Sequence, residues 1–408
     1  MSLNPQQEST ITFNPWDPEF IVNPYPHYGA ILAKPPPVVK VGARSAVLVA
    51  RYADAKAVLH DHENFRSQPP WSPNNQGPFA GSFDILGSDP PRHTRLRRII
   101  SRAFTPRRVR DLEPRIREFT RALLDTATPK GEFDIMAELA NVIPVQVIAE
   151  MLGVSPERHG AFKDWSDRIV DASAKLVPGA PAMAAATAAD AIEAVESAAA
   201  YFTEEIEKRR RHPGPDLVSA LVAAHDESEA LTATELVQFA VTLLLAGSET
   251  TTNLIGNGTL ALVRHRDQFE RLRREPSLLP KAIEEMLRFD SPVQSTGRFP
   301  HSDVELGGTQ IACGTVMFVI NAAANRDPAR FPNPDEFDIS RARNDHLAFG
   351  DGIHFCIGAP LARLEAQIIF GEMLTRIPRF ELVHPEAPQI YKDSYFLRGL
   401  ERLMVAID

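Results

Sequence analysis

A cysteine set among glycines, just ahead of a helical pattern, limits what this chain can fold into more than any other feature. The stretch reads Phe349-Gly350-Asp351-Gly352-Ile353-His354-Phe355-Cys356-Ile357-Gly358, and Cys356 is one of only 2 cysteines in 408 residues. A thiolate is costly to bury unless backbone N–H groups or a metal stabilise it. Gly350, Gly352 and Gly358 permit tight backbone near the sulfur. Leu361 to Ala366 opens a helix whose N-terminal dipole favours a negative sulfur. The arrangement fits a thiolate held rigidly as a metal ligand. An inert buried cysteine in a helix cap is the competing reading. A dinucleotide loop is set aside, because no third glycine stands at position 355 and no strand-like apolar run precedes Gly350.

Hydrophobic residues make up 44% of the chain, enough to enclose a cofactor, and the net charge of −9 argues against general nucleic-acid binding. Two cysteines exclude a disulfide framework and fit a reducing compartment. Met1 to Pro18 lacks the apolar centre of a signal peptide. The longest apolar run, near Phe239 to Ala246, falls short of the roughly 20 residues that span a bilayer. The expectation is a soluble, monomeric, cytoplasmic protein without a membrane anchor.

The 34 prolines cluster. Residues 1–37 read as an extended N-terminal segment, and Val38 to Ala50 as a β-hairpin. Residues 69–91 read as a loop with Trp71, Phe79 and Phe83 interleaved. Helical patterns cover about 92–124, 135–152, 155–170 and 188–211, with an Ala/Pro/Gly-rich connection from Leu176 to Ala189. No proline occurs in 216–275, and Thr232-Ala233-Thr234-Glu235 is a capping box that starts a helix over 232–264. Shorter helices follow at 266–274 and 278–289. Next come a hairpin at Val304 to Ile311, a strand at Val316 to Ile320, and a last helix from Pro360 to Arg376. Tyr395 to Val405 reads as returning β structure. One mainly α domain with small β-sheets spans 1–408.

The long helix contains Ala246-Gly247-Ser248-Glu249-Thr250-Thr251-Thr252. Threonine is β-branched and competes for backbone carbonyls, and Gly247 weakens the same turn. Such a local conflict marks function. It opens a groove and places an acid beside a hydroxyl.

The 349–358 stretch resembles the haem-ligand signature of the cytochrome P450 family, Phe-Gly-x-Gly-x-His/Arg-x-Cys-x-Gly, often followed by Leu-Ala-Arg. The resemblance implies the P450 fold and haem b ligated by Cys356, with Phe349, Gly358 and Ala246 beside the cofactor. The 246–250 stretch is similar to the family motif Ala/Gly-Gly-x-Asp/Glu-Thr. It implies that Thr250 steadies dioxygen at the cofactor and Glu249 helps deliver protons. His93 and Arg97, four apart on one helix face, match a family pattern for the two haem propionates. Arg298 and His354 match the other two partners, and arginine suits carboxylates through its bidentate fork. Arg92, Arg95 and Arg98 fall outside that pattern and read as surface residues. Glu285 and Arg288 match the family's core salt bridge, and Pro332 to Phe337 its meander.

The resemblance implies a monooxygenase that inserts one oxygen atom of O2 into a C–H bond. Electrons would come from a separate ferredoxin fed by an NAD(P)H-dependent reductase. Arg97, Arg98, Arg102, Arg107, Arg108 and Arg110 form a basic cluster that would steer an acidic donor. Substrate candidates are Trp71, Phe79, Phe83, Leu244, Val293 and Phe396, which suit a terpenoid, steroid, macrolide or fatty acid. Arg66 and Arg168 are kept open as carboxylate anchors. Competing functions are a peroxide-driven peroxygenase, a non-catalytic haem-thiolate sensor and a cysteine hydrolase using His354. The Glu249–Thr250 pair argues against the first, the lack of a signalling domain against the second, and the glycine setting against the third.

Overall fold

Thr232 starts the long helix at the centre of the helical part of the fold. In the computed structural model, which describes residues 13–41, 44–69, 84–174, 185–226, 229–394 and 396–407, its hydroxyl accepts the Glu235 N–H at 3.1 Å. The Glu235 carboxylate returns the bond to Thr232 N–H at 2.9 Å. Two donors of the helix start, the Thr232 and Glu235 N–H groups, are thereby satisfied. The helix Ala233–Arg264 runs 32 residues without a break, about 48 Å at 1.5 Å per residue. It is surrounded by the helices Ile143–Leu152, Ala185–Arg211, Leu279–Phe289 and Ala359–Arg376.

Proline punctuates the helical regions more finely than the apolar pattern indicates. The stretch expected as one helix over 92–124 is three: Arg92–Ala103, Pro106–Asp111 and Glu113–Ala127. Pro106 and Pro114 each sit in a first turn, where the missing N–H costs nothing, and neither could continue the preceding helix. The 135–152 pattern opens with a π turn at Met136–Ala140 before Ile143–Leu152, and Gly153 closes it in the left-handed conformation.

The N-terminal segment is not uniformly extended. Asp17 caps a short helix Pro18–Val22 by accepting from Glu19 N–H at 2.9 Å, and Tyr25–Leu32 follows. Phe20, Tyr28 and Ile31 bury themselves with Val39, Val41 and Leu48 of the main sheet. Burial of that aromatic surface, worth about 1.5–3 kcal/mol per side chain, holds the segment down.

That sheet runs in the order Val38–Val41, Arg44–Val49, Val316–Val319, Thr296–Pro300, Phe65–Arg66. Its central pairing, Val316 opposite Ala46, is parallel and its other pairings are antiparallel. A three-stranded antiparallel sheet joins Phe380–Leu382, Met404–Ile407 and Glu132–Asp134. No helix among the described residues is long and apolar enough to cross a membrane.

Candidate active site

The cysteine loop gets its shape from two glycines in the left-handed region, Gly350 at φ 71° and Gly352 at φ 67°. A Cβ on Gly352 would lie 2.5 Å from the Leu59 carbonyl oxygen, so the turn needs glycine twice over. Asp351 accepts from Gly352 N–H at 2.7 Å, and Cys356 N–H donates to Phe349 O at 3.0 Å. Burial pushes the Cys356 thiol up, while the Gly358 and Ala359 N–H groups, Arg97 and Arg363 pull it back. Arg363 grips Glu284 through two bonds of 2.7 and 2.8 Å and lies 4.6 Å over the Phe349 ring. Burial works to raise the Glu284 carboxyl, but the bonds from Arg363 and His346 outweigh it and hold it at about 2.

Beside the loop stand four basic side chains, His93, Arg97, Arg298 and His354, for which no salt bridge is formed among the described residues. The His93 and His354 rings are 4.2 Å apart. Both ring nitrogens of His93 are buried and find no hydrogen-bond partner among the described residues. Burial, aided by the neighbouring arginines, lowers His93 to about 4 and His354 to about 3. Burial lowers Arg298 to about 10, and its Nη1 reaches Gly297 O at 2.7 Å. Arg97 donates to Phe355 O at 2.7 Å. The nearby carboxylate, Asp89, already accepts the Ser67 and Gln68 N–H groups at 2.9 and 3.1 Å. A cluster of this kind calls for carboxylates from outside the chain, and a group carrying two of them beside a thiolate fits it.

A cavity of about 440 Å³ is lined by Cys356 and these four side chains, and also by Ala246, Thr250, Val293 and Phe396. The long helix passes it unbroken, so no interruption at Gly247 opens the groove. Its three threonines diverge. Thr250 donates to Ala246 O at 2.9 Å and lines the cavity, and Thr251, which also lines it, leans back on Gly247 O. Thr252 crosses to Ala140 O at 2.7 Å.

The family model described as cytochrome P450 matches residues 33–399. The chain belongs to the cytochrome P450 family. It is 42% identical to the cytochrome P450 monooxygenase PikC of Streptomyces venezuelae, over 95% of this chain and 92% of that one. It is 40% identical to the vitamin D(3) 25-hydroxylase of Pseudonocardia autotrophica, over 95% and 94%. The structure of CYP109E1 from Bacillus megaterium in complex with testosterone superposes with a TM-score of 0.83 at 36% identity, covering 94% of this chain and 99% of that one. This P450 is therefore an oxidoreductase of the monooxygenase type that uses haem b held through a cysteine thiolate. The basic cluster, with His93 and Arg298 buried, fits the two haem propionates, and Cys313 stands exposed while Cys356 lines the cavity.

Other expected site residues fall differently in this P450. Leu244 is not a substrate contact: it is fully buried off the cavity wall. The wall stripe of the helix runs Phe239, Leu243, Ala246, Thr250, Leu254 at helical spacing. Leu244 lies off that stripe with Ser248, whose hydroxyl donates to Leu244 O at 2.7 Å. Glu249 also lies off the wall and pairs with Lys392 at 2.7 Å. Trp71, Phe79 and Phe83 lie outside the described residues. Arg168 is engaged by Asp164, Asp190 and Glu193. Arg66 is exposed on the sheet edge. Arg95 is not a plain surface residue: it forms an ion pair with the capping Glu235 and so ties Arg92–Ala103 to the start of the long helix.

Glu285 and Arg288 form a pair with both side chains fully buried, bridged by two bonds of 2.8 Å. Arg288 also donates to the carbonyls of Asn325, Pro334 and Glu336, which stitches the 332–337 stretch to the helix.

Of the wall residues missed from the sequence, such as Phe239, Leu243 and Leu397, the most unusual is an acid. Glu365 lines the cavity fully buried, and neither carboxyl oxygen has a hydrogen-bond partner among the described residues. Burial pushes its carboxyl well above its ordinary value. Its signal was an acid four residues from Leu361 and Ile369 on the apolar face of Ala359–Arg376.

Proposed function

We propose that this P450 inserts one oxygen atom of O2 into a C–H bond of a bulky apolar molecule, with Cys356 as the axial ligand of haem b. One observation carries the reading: the buried thiol, the unmatched basic cluster and Thr250 line a single cavity. His93, Arg97, Arg298 and His354 would hold the propionates, and Phe349 and Gly358 would fix the sulfur. Haem, when bound, supplies the oxidising chemistry, which electron donation from a thiolate favours. The chain's own residues bind the substrate, keep water out and move protons. Glu249, on the outer side, takes up protons, and the Thr250 hydroxyl presents them at the cavity.

The described wall is mostly apolar, with Val293, Phe396 and Leu397 among its members. A vitamin D hydroxylase and a testosterone complex among the relatives agree with a terpenoid, steroid or macrolide-sized guest. Electrons would come from a separate acidic ferredoxin and its NAD(P)H-dependent reductase. Arg102 and Arg107 are exposed, and Arg97 ties their region to the backbone of Phe355, which is 40% exposed beside Cys356.

The test is the spectrum of the reduced, CO-treated protein. The red-shifted Soret band of thiolate ligation is expected, and Cys356→Ser should abolish it together with oxidation of any compound that shifts the spin state. A wild-type protein that binds haem without that band overturns the assignment. Turnover with peroxide alone but not with ferredoxin and O2 overturns the monooxygenase reading.

A further inference from the structure

Two neighbouring acids on the helix Leu279–Phe289 serve different partners. Glu285 turns to Arg288 and Arg341. Glu284, one residue earlier and so about 100° round the helix, reaches instead the helix that follows the cysteine. Its two carboxyl oxygens accept the Arg363 fork at 2.7 and 2.8 Å. One of them also faces His346 Nε2 at 3.2 Å. His346 accepts the Ala348 N–H on Nδ1 at 3.2 Å, so its proton sits on Nε2 and is donated to the acid. Glu284 is thus gripped both from the helix Ala359–Arg376 and from the chain that leads into the cysteine loop.

Arg363 stands behind the cysteine loop rather than on the cavity. Its guanidinium lies 4.6 Å from the centre of the Phe349 ring, and Phe349 lines the cavity with Cys356 while Arg363 does not. The Phe349 carbonyl accepts the Cys356 N–H at 3.0 Å. A permanent cation therefore stacks on the ring whose backbone holds the sulfur. The two attract each other: Arg363 works to lower the thiol, and Cys356 works to raise the guanidinium. Arg97 and Arg298 line the cavity, where propionates would answer their charge. Arg363 is answered by the chain's own Glu284, whose carboxyl is held at about 2 and is ionised at neutral pH. The two side chains are 31% and 27% exposed, so water screens the pair without removing its field.

Resting on the haem–Cys356 reading above, we propose that Glu284 is a positioning residue that sets how readily the bound iron accepts its first electron. It fixes the Arg363 guanidinium on the Phe349 ring and cancels most of the charge that the sulfur feels from it. One electron added at the iron brings one unit of negative charge next to the thiolate, and no bond is made or broken. A nearby cation favours that gain and a nearby anion opposes it. The Glu284–Arg363 pair therefore holds the reduction potential below the value that Arg363 alone would give. The pair acts through charge on a group that surrounds the ligand without touching the metal.

The experiment measures the ferric/ferrous midpoint of the haem-loaded, guest-free protein by dithionite titration with mediators, in the absence of O2 and ferredoxin. Glu284→Gln keeps the shape and removes the anion. It should favour the ferrous form about tenfold, or about 59 mV for one electron, the scale of one unit charge acting through a partly screened medium. Arg363→Gln removes the cation and should move the midpoint about as far the other way. The double variant carries neither charge and should lie within about twofold of the wild type. Arg363→Lys keeps the charge without the fork and should recover most of what Arg363→Gln loses. The reduced, CO-treated spectrum should keep its thiolate band in all four, which separates a change of field from a change of ligand. Shifts of one sign in both single variants, an unmoved midpoint in Glu284→Gln, or a double variant that does not return toward the wild type would overturn the proposal. Failure of a single variant to bind haem would make the pair a structural brace and overturn it too. A wild-type protein without the thiolate band would sink the function. A loaded protein that has the band but oxidises nothing would leave the midpoints to decide the role of Glu284.

Discussion

Glu285 and Glu249 are both carboxylates paired with a base, and the contrast between their surroundings separates the two halves of the site. Glu285 accepts from Arg288, Arg341, Asn344 and the Asp338 N–H, all between 2.8 and 3.2 Å. Arg341 in turn donates to the carbonyls of Pro332, Asn333 and Glu336. Glu249 has one side-chain partner described, Lys392, near the surface. On the cysteine side, buried charge is surrounded by donors and acceptors, so the geometry has one arrangement. On the long-helix side the pair is single and partly exposed, so a change there costs less. The cysteine side is braced by a network, and the long-helix acid by a single ion pair.

The largest expected effect tests the rigid half. Glu285→Ala leaves Arg288 buried among carbonyls with no countercharge, a loss of about 3–5 kcal/mol. The expected outcome is protein that fails to load haem, read as the haem-to-protein ratio and the CO spectrum. Normal loading would show that the cysteine side does not depend on this pair. Thr250→Val tests the other half. Val and Thr have similar helix propensity, so the thermal midpoint should hardly move and haem loading should be normal. Product formed per electron pair should fall about 100-fold, the scale of general acid–base assistance. Loss of folding in this variant would erase the distinction drawn between the two sides.

How much of this was legible beforehand follows the same division. The cysteine loop, the long helix and the Glu285–Arg288 spacing could be read because glycine, capping-box and acid–base patterns are local in sequence. The break at Pro106 was equally local but was overridden by the continuous apolar period of 92–124. Lys392 gave no signal, since its partner stands 143 positions away. Glu365 carried a signal that was overlooked, an acid on an apolar stripe. Leu244 was misplaced because in a helix buried on nearly every side composition does not say which stripe faces a cavity. The helical phase had to come from tertiary packing.

A third, smaller effect concerns the outer face of the cysteine side. Arg102→Glu with Arg107→Glu should raise the apparent KM for ferredoxin about tenfold through lost electrostatic steering. Substrate affinity in the spin-shift titration should stay the same. Arg107 reaches Asp111 only loosely, at 3.9 Å, so its reversal should cost little stability. A change confined to substrate affinity would remove docking from this face.

The smallest effect asks whether the rigid half is complete without its cofactor. Burial and Arg97 lower His93 to about 4 from an ordinary 6.5. Between those values the unfolded chain binds a proton that the cofactor-free fold refuses. Stability of the cofactor-free protein should therefore fall as pH drops from about 6.5 toward 4, and this contribution should be constant above about 6.5. His354 acts with the same sign, so His93→Gln should flatten the slope without abolishing it. Haem loading should shrink the slope further, because propionates give both imidazoles an anion to pair with when charged. Urea midpoints at about pH 7 and pH 5, for loaded and unloaded protein, measure all of this. An equal slope with and without haem would mean that His93 does not face the propionates, and the basic cluster would then need another anion to account for it.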